Sequence, residues 1–274
     1  MSVETHDRVD VVPPEGTPSW LELSVPDPGR ARAFYGTLFD WTFEDDLCLL
    51  DGLPVAAIRA LGEGRGEAEW TVFFATDDCD GAAGRVSAAG GRIVLPPYED
   101  GTRGRAAVVT DVLGARFGLW QGADLVGTRL VNGYGTFIFN ELPTAERERA
   151  LGFYREVFDY RPSRHSDVGD LVRPDGHTVA SIVVPHLLEE PPEPAGEETE
   201  RYLAEMKGSV DLPPLDAWVT YFAVEDVHEV LRHLTGLGGW THPQGPQELP
   251  WGCLASARDP LGAAFHLVEP WDLI

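Results

Sequence analysis

The chain of 274 residues has little cysteine, little methionine and no long hydrophobic run. Its three cysteines, Cys48, Cys79 and Cys253, cannot all pair and form no cluster, so neither a disulfide scaffold nor a cysteine zinc site is expected. No apolar stretch approaches the ~18 residues that a transmembrane helix needs. Because residues 1–10 are polar and of mixed charge, we expect no secretory leader and a cytoplasmic location.

Positive charge is also scarce. Lysine and arginine together number 21 against 45 aspartates and glutamates, which gives a formal net charge of −24. This charge would repel phosphate backbones and anionic lipids, so we expect no nucleic-acid partner and no membrane partner. The acidity has two interpretations: it serves solubility alone, or it favours cationic ligands.

Several catalytic motifs are missing from the sequence. It contains no G-x-S-x-G nucleophile elbow, no phosphate-binding loop, no dinucleotide fingerprint and no H-E-x-x-H metal pair. These absences argue against the hydrolases, nucleotide-binding enzymes and zinc proteases that depend on those motifs.

What the chain does contain is an internal repeat. Trp70 and Trp218 open two similar segments that lie 148 residues apart. Four further pairs keep that spacing: Asp111 and Asp259, Leu113 and Leu261, Gly114 and Gly262, and Phe117 and Phe265. An earlier pair, at a spacing of 119, matches residues 20–23 and 34–35 with residues 139–142 and 153–154. Two copies of one pattern indicate a duplicated domain.

Hydrophobic periodicity divides each copy into two strand–helix–strand modules. The first helix is predicted to begin at Asp27 and Pro28, since Asp is a good N-cap and Pro suits the first helical position. We therefore predict four parts: a flexible N-terminus (residues 1–15), a first domain (16–124), a linker (125–133) and a second domain (134–274). A Pro- and Glu-rich insertion at residues 186–216 interrupts the second domain and is either a solvated loop or a lid.

A family resemblance rests on two patterns: the strand–Asp–helix segment of residues 22–41, and the Asp-Pro-Leu-Gly-Ala-Ala-Phe of residues 259–265. These resemble the vicinal oxygen chelate superfamily, which contains glyoxalase I, bleomycin-resistance proteins and extradiol dioxygenases. Residues 16–18 and 139–142 further resemble its two-domain actinobacterial glyoxalase-like branch. The resemblance implies an α+β fold of two tandem glyoxalase-like domains. Each domain consists of two βαβββ modules that form a curved, mixed-sheet cup.

The resemblance also implies where a metal would bind. Metal-dependent members place one ligand on the opening strand of each module and one on the closing strand. Here we assign Trp20, Trp70, Phe139 and Trp218 to the opening positions and Gly118 and His266 to the closing positions. Aromatic rings and glycine cannot coordinate a divalent cation, and His266 with Glu141 supplies only two of the three protein ligands that metal catalysis normally needs, so we expect no metal and no cofactor.

Large flat side chains at the cup positions suit stacking on a planar ligand. Strand alternation predicts that Trp20, Glu22 and Ser24 face the cup while the intervening residues pack under the helix. The predicted ligand-binding residues are Trp20, Glu22, Trp70, Trp120, Phe139, Glu141, Trp218, Phe222 and His266. The alternative is that these rings fill the cups themselves as ordinary core residues.

Glu22 and Glu141 occupy equivalent places on otherwise apolar strands. A carboxylate in an apolar cup would have a raised pKa and could act as a general base or bind a hydroxyl or amine. The structural alternative is that it accepts hydrogen bonds from indole or backbone N–H groups. Glu141 and His266 are the candidate catalytic pair of the second cup, unless His266 is a hydrogen-bonded core residue.

The leading hypothesis from the sequence is a metal-independent protein that binds a flat, hydrophobic aromatic small molecule. The resemblance suggests antibiotic sequestration or an accessory role in natural-product biosynthesis, and the net charge suggests a cationic drug. One alternative is a cofactor-independent lyase, isomerase or cyclase that uses Glu141 and His266. A metal-dependent glyoxalase or dioxygenase is the third. Since single-domain members dimerise to complete their cups, a duplicated chain is expected to be a monomer or a homodimer.

Overall fold

The computed structural model describes residues 6–62, 67–161, 169–185 and 215–271. The predicted insertion lies outside the described residues, apart from Leu215 and Asp216. Within the described ranges, no helix is both long and apolar enough to cross a membrane.

The first copy consists of two modules, each a strand, a helix and three further strands. The first module contains β2 (Pro18–Val25), α1 (Pro28–Phe39), β3 (Thr42–Glu44), β4 (Leu47–Leu50) and β5 (Leu53–Ala60). The second contains β6 (Glu69–Ala75), α2 (Cys79–Ala88), β7 (Arg92–Glu99), β8 (Gly104–Thr110) and β9 (Arg116–Gly122). Their strands form one eight-stranded mixed sheet in the order β3-β4-β5-β2-β6-β9-β8-β7, in which β2 and β6 are antiparallel at the centre.

The second copy repeats this plan. Its third module contains β11 (Phe137–Pro143), α3 (Arg147–Phe158), β12 (Gly169–Val172) and β13 (Thr178–Val183). Its fourth contains β14 (Val219–Ala223), α4 (Val227–Gly236), β15 (Trp240–Thr241), β16 (Gln247–Leu249), β17 (Gly252–Arg258) and β18 (Ala264–Pro270). The sheet order is β12-β13-β11-β14-β18-β17-β15, and β16 pairs with β17. The α+β fold of two tandem two-module domains is therefore as predicted.

Local sequence explains where the helices begin. Asp27, Asp78 and Asp226 each accept a hydrogen bond from a backbone N–H of the first turn, so α1, α2 and α4 have side-chain N-caps. Pro28 stands at the start of α1, as predicted. Helix α3 follows Glu146, which makes no side-chain cap.

The residues predicted to be a flexible N-terminus include a short strand. β1 (Asp7–Arg8) pairs antiparallel with β10 (Leu130–Val131), a strand from the predicted linker. Arg129 also forms an ion pair with Asp10. The N-terminal segment therefore crosses back over the connection between the two copies.

The two sheets share one hydrophobic core on their helix-covered faces. A single cluster of buried residues contains side chains from β2, β6, β11 and β14 together with residues of all four described helices. Strands β6 and β14 meet at the centre, where Trp70 contacts Phe222 (ring centroids 5.4 Å apart) and Phe74 contacts Trp218 (5.3 Å). These two contacts are equivalent at the repeat spacing of 148, so the copies are related by an approximate twofold axis.

Two tyrosine–aspartate bridges cross this interface and obey the same symmetry. Tyr35 on α1 donates to Asp259 Oδ2 at 3.1 Å, and Tyr154 on α3 donates to Asp111 Oδ2 at 3.2 Å. Each tyrosine hydroxyl accepts from an indole N–H, Trp70 for Tyr35 (2.9 Å) and Trp218 for Tyr154 (2.8 Å). The repeated residues therefore join the two copies to each other.

The repeated aspartates also organise the turns that carry them. Asp111 Oδ1 accepts from the backbone N–H groups of Leu113, Gly114 and Ala115 at 2.8–2.9 Å. Asp259 Oδ1 accepts from Leu261 at 2.8 Å and Ala263 at 3.0 Å. Burial raises the pKa of both carboxyl groups, and the bonds that they accept oppose the rise.

Candidate functional site

Each sheet has a second face, turned away from the helices, which we call its cup face. In the first copy the strand register places Trp20, Glu22 and Ser24 on this face, as predicted, opposite Phe73, Thr71 and Glu69 of β6. Leu21, Leu23 and Val25 belong to the helix-side core. The alternation of side chains along β2 is therefore the one that the sequence indicates.

The predicted cup-facing orientation of Trp70, Trp218 and Phe222 is wrong, although Trp70 and Trp218 both border the cavity described below. All three belong to the shared core on the helix face, where the two indoles donate to Tyr35 and Tyr154. The cup-facing residues of the same strands are Thr71 and Phe73 on β6, and Val219 and Tyr221 on β14. Because the side-chain period of a strand is two, an assignment shifted by one residue reverses the face. The polar residues Glu69 and Thr71, which alternate with Trp70 and Val72, were the signal that could have shown it.

The deep half of the first cup is filled by its own rings. Trp20 stacks on Trp120 with ring centroids 6.4 Å apart, and Phe73 and Leu125 belong to the same buried cluster. The closing-strand position Gly118 pairs with Phe73, whose ring occupies the space that a Cβ at residue 118 would need. Trp20 and Trp120 are cup-facing as predicted, but no more than 1% of either side chain is exposed. In this half of the cup the rings therefore fill the space themselves, as ordinary core residues do.

Glu22 lies where this aromatic filling ends. Its carboxylate accepts from Trp20 Nε1 at 3.3 Å and pairs with Arg59 at 3.1 Å. Arg59 also pairs with Asp46 at 3.1 Å and Asp100 at 2.7 Å, so three carboxylates surround its guanidinium, although its Nε makes no hydrogen bond among the described residues. Burial raises the pKa of Glu22 to about 7, against the opposing effect of Arg59. At neutral pH this carboxyl can therefore both donate and accept a proton.

Beyond Glu22 the cup opens into a cavity of about 700 Å³. Its apolar lining includes Leu95 and Val108, and its edge is formed by Tyr98, whose pKa burial raises to about 12. The cavity extends past the sheet to the second copy, where Ala217, Trp218 and Ala264 border it. Three carboxylates and three guanidiniums line it: Glu22, Glu67, Glu69, Arg59, Arg116 and Arg258. The cavity therefore does not share the strong negative charge of the whole chain.

The second cup brings together several predicted residues. Phe139 pairs with Tyr221, which pairs in turn with His266, so the three form one row across the cup face. Glu141 lies on the same face, two positions along β11, and accepts a hydrogen bond from the Tyr221 hydroxyl. The Tyr221 and His266 rings lie 4.6 Å apart. Tyr221, which sequence reasoning missed, thus stands between the two predicted catalytic residues.

Burial sets the protonation of this group. It lowers the pKa of His266 to about 4, so the imidazole is neutral at neutral pH. It raises the pKa of Glu141, against the effect of the bond from Tyr221. His266 Nδ1 is buried and has no hydrogen-bond partner among the described residues. The second cup thus holds a neutral imidazole and a hydrogen-bonded carboxylate, the two kinds of group that acid–base chemistry uses.

The donors that the described residues bring into the two cups do not fit a divalent metal. Within the described ranges no group of three or more His, Cys, Asp or Glu side chains is placed to hold one ion. The first cup offers Glu22, already bound to Arg59, while its closing position is a glycine covered by Phe73. The second offers one imidazole and one carboxylate, whereas catalytic metal sites use about three protein ligands.

Comparison with known proteins identifies relatives that match almost end to end. A Mycobacterium tuberculosis (strain CDC 1551 / Oshkosh) protein named as a glyoxylase, CFP32, is 31% identical over 274 residues, with 93% of this chain and 95% of the relative covered. Two proteins named as anthracycline biosynthesis proteins, DauV of Streptomyces sp. (strain C5) and DnrV of Streptomyces peucetius, are each 29% identical, with 93% of both chains covered. No family model matches the chain.

Solved structures share the fold. The Mn(II)-bound glyoxalase from Novosphingobium aromaticivorans superposes with a TM-score of 0.54 at 12% identity, over 95% of this chain and 84% of that one. The 2,3-dioxygenase LapB from Pseudomonas sp. KL28 gives a TM-score of 0.56 at 14% identity, over 93% of both chains. At such low identity these likenesses concern the arrangement of strands and helices alone.

Proposed function

Since the chain belongs to the glyoxalase-like proteins of the vicinal oxygen chelate superfamily, we propose that it is a metal-independent binding protein for a flat aromatic small molecule. The observation that carries the proposal is the cavity of about 700 Å³ at the mouth of the first cup. Its volume lies in the range of about 300–1,000 Å³ that is usual for small-molecule sites. One buried carboxyl group, Glu22, stands at its inner end.

The chemistry of the lining supports a planar ligand with a few polar groups. Leu95 and Val108 supply apolar contact, and Tyr98 adds an aromatic ring to the lining. Glu22 can donate to a carbonyl or accept from a hydroxyl, because its pKa lies near neutrality. Fused-ring aromatic natural products, the class to which anthracyclines belong, have this combination of a flat apolar body and peripheral oxygens.

The names of the relatives support the same ligand class. Two of them are named as anthracycline biosynthesis proteins. Antibiotic sequestration and an accessory step in biosynthesis are the two roles that such binding would serve. The three cysteines are all buried and none is in a disulfide, which is compatible with the cytoplasmic location that forms part of this proposal.

Binding of a fluorescent hydroxyanthraquinone tests the proposal. Leu95→Trp places a large side chain in the cavity, so we expect it to weaken binding at least tenfold in a fluorescence titration. Ile93→Trp is the matched control, because Ile93 lies on the same strand, is 38% exposed and does not line the cavity. Equal affinity of the two variants, or no saturable binding by the wild type, would contradict the proposal.

A second candidate function rests on the other cup. The bond from Tyr221 to Glu141 and the neutral imidazole of His266 favour a cofactor-independent lyase, isomerase or cyclase. The distinguishing experiment is product analysis after prolonged incubation with the hydroxyanthraquinone. Recovery of unchanged ligand supports the binding protein. Conversion that Glu141→Gln and His266→Gln each abolish supports the enzyme.

A further inference from the structure

We infer that the ligand site continues across the junction of the two copies, and that Arg116 and Arg258 bind acceptor oxygens on the ligand there. The inference rests on the proposed function, because it assigns the far end of the same cavity. We call this far end the seam and define it by Glu69, Arg116, Ala217, Arg258 and Ala264.

The seam straddles the approximate twofold axis of the molecule. Trp70 and Trp218, which are equivalent at the repeat spacing of 148, both border the cavity. Two more equivalent pairs do so: Glu69 with Ala217, and Arg116 with Ala264. A site at this position cannot be built from one copy alone.

In two of these equivalent pairs, a long charged side chain in the first copy corresponds to a small one in the second. Where the first copy carries Glu69 and Arg116, the second carries alanine at both positions. Alanine side chains at Ala217 and Ala264 leave room at the axis, which equally large side chains from both copies would fill. The duplication has therefore produced one asymmetric cavity wall, charged on one side and small on the other.

The two arginines of the seam have fewer carboxylate partners than Arg59 has. Arg59 is paired with three carboxylates at 2.7–3.1 Å. Arg116 reaches only Glu69, at 4.0 Å, and its Nε has no hydrogen-bond partner among the described residues. Arg258 donates to the Gly262 carbonyl at 3.3 Å. Each guanidinium has five N–H donors, so within the described part of the chain most of those on Arg116 and Arg258 remain for a ligand.

Glu69 competes only weakly for Arg116. Burial raises the pKa of Glu69, while Arg116 opposes the rise. A ligand with a carboxylate, a phenolate or a pair of quinone and hydroxyl oxygens would bind a guanidinium in the bidentate geometry that Arg favours. The seam therefore selects an oxygen-bearing or anionic edge of the ligand. Its preference for ligand charge is opposite to the one that the net charge of the whole chain suggests.

Three probes of one shape test the inference: a neutral hydroxyanthraquinone, an anthraquinone sulfonate and an aminomethyl anthraquinone. We expect the wild type to bind the sulfonate about tenfold more tightly than the amine, which is the size of one charge-assisted hydrogen bond. Arg116→Ala should remove most of this preference, and Arg258→Ala should reduce it. Ala217→Phe should weaken all three probes by filling the seam from the second copy.

Arg105→Ala is the matched control. Arg105 lies on the neighbouring strand β8, its side chain is 29% exposed against 31% for Arg116, and it does not line the cavity. It removes the same charge and should keep the wild-type preference. Urea unfolding of each variant separates a lost contact from a lost fold.

The outcomes separate this inference from the proposed function. Tighter binding of the amine, or an unchanged preference in Arg116→Ala and Arg258→Ala, overturns the inference. If Leu95→Trp still blocks the neutral probe in that case, the proposed function stands. If none of the three probes binds saturably, both fail.

Discussion

At the scale of single residues, the duplicated carboxylates Glu22 and Glu141 have acquired different partners. Glu22 pairs with Arg59, whereas strand register places Val183 at the corresponding point of the second copy. Glu141 instead accepts from Tyr221. An ion pair restrains the position of a carboxylate, while a hydrogen bond from a phenol leaves it without a counter-ion. This contrast is why we assign binding to the first cup and the rival acid–base chemistry to the second.

The raised pKa of Glu22 predicts the sign of a pH effect. Its pKa is 4.5 when unfolded and about 7 when folded, so the folded state binds more protons between these values. The free energy of unfolding should therefore fall as pH rises from 4.5 to about 7, and this group should cause no further change with pH above that, while its destabilising effect remains. Glu22→Gln removes the ionisation and should flatten the profile, with a gain of about 1–3 kcal/mol at the alkaline end.

The measurement is urea unfolding of the wild type and Glu22→Gln across that pH range. Other carboxyls also titrate, so the difference between the two proteins is the quantity to follow. Glu156→Gln, an exposed change on α3, serves as the control and should track the wild type. Parallel profiles for wild type and Glu22→Gln would show that the carboxyl titrates normally.

At the scale of elements, the two tyrosine–aspartate bridges are predicted to contribute equally to stability. Tyr35→Phe leaves Asp259 Oδ2 and Trp70 Nε1 without their buried partner, and Tyr154→Phe does the same to Asp111 and Trp218. Each change should cost about 1–3 kcal/mol of unfolding free energy. Thr37→Ala removes an exposed hydroxyl bond on α1 and should cost less than about 0.5 kcal/mol. A cost for Thr37→Ala equal to that of Tyr35→Phe would contradict the interpretation.

Element types were predictable because they depend on local sequence. The cap at Asp27 was readable for the same reason. The short strand β3 was missed, since three residues carry too little pattern.

The faces of the strands were less predictable than their existence. The structure has Trp20 and Phe139 on the cup face, as predicted, but it has Trp70 and Trp218 on the helix face. The repeat spacing located these residues along their strands without showing which face of the sheet they occupy. Their true role depends on Tyr35 and Tyr154, which approach from helices far away in sequence. Repetition at matched spacing identified residues under a shared constraint, but it did not distinguish a ligand site from an interface.

At the scale of the whole molecule, the shared core makes the two copies a single folding unit. Tyr35, Trp70, Tyr154 and Trp218 lie in one buried cluster that draws on both sheets. Either copy alone would expose this face, with its large rings, to water. The cups face outward instead, so the second copy supports the first cup from behind and completes its cavity at the seam.

Separating the copies tests this organisation. Cutting the chain between Asn132 and Gly133 yields residues 1–132 and 133–274, each with a complete eight-stranded sheet. Expressed alone, neither half should be a folded monomer, because each exposes half of the common core. Expressed together, they should form a stoichiometric complex with a single cooperative thermal transition, measured by light scattering and circular dichroism. Tyr35→Phe and Tyr154→Phe combined should weaken this complex at least tenfold, while Thr37→Ala should leave it intact. A monomeric half that unfolds cooperatively at the temperature of the whole chain would show that the copies are independent domains, and that the seam is only a contact between them.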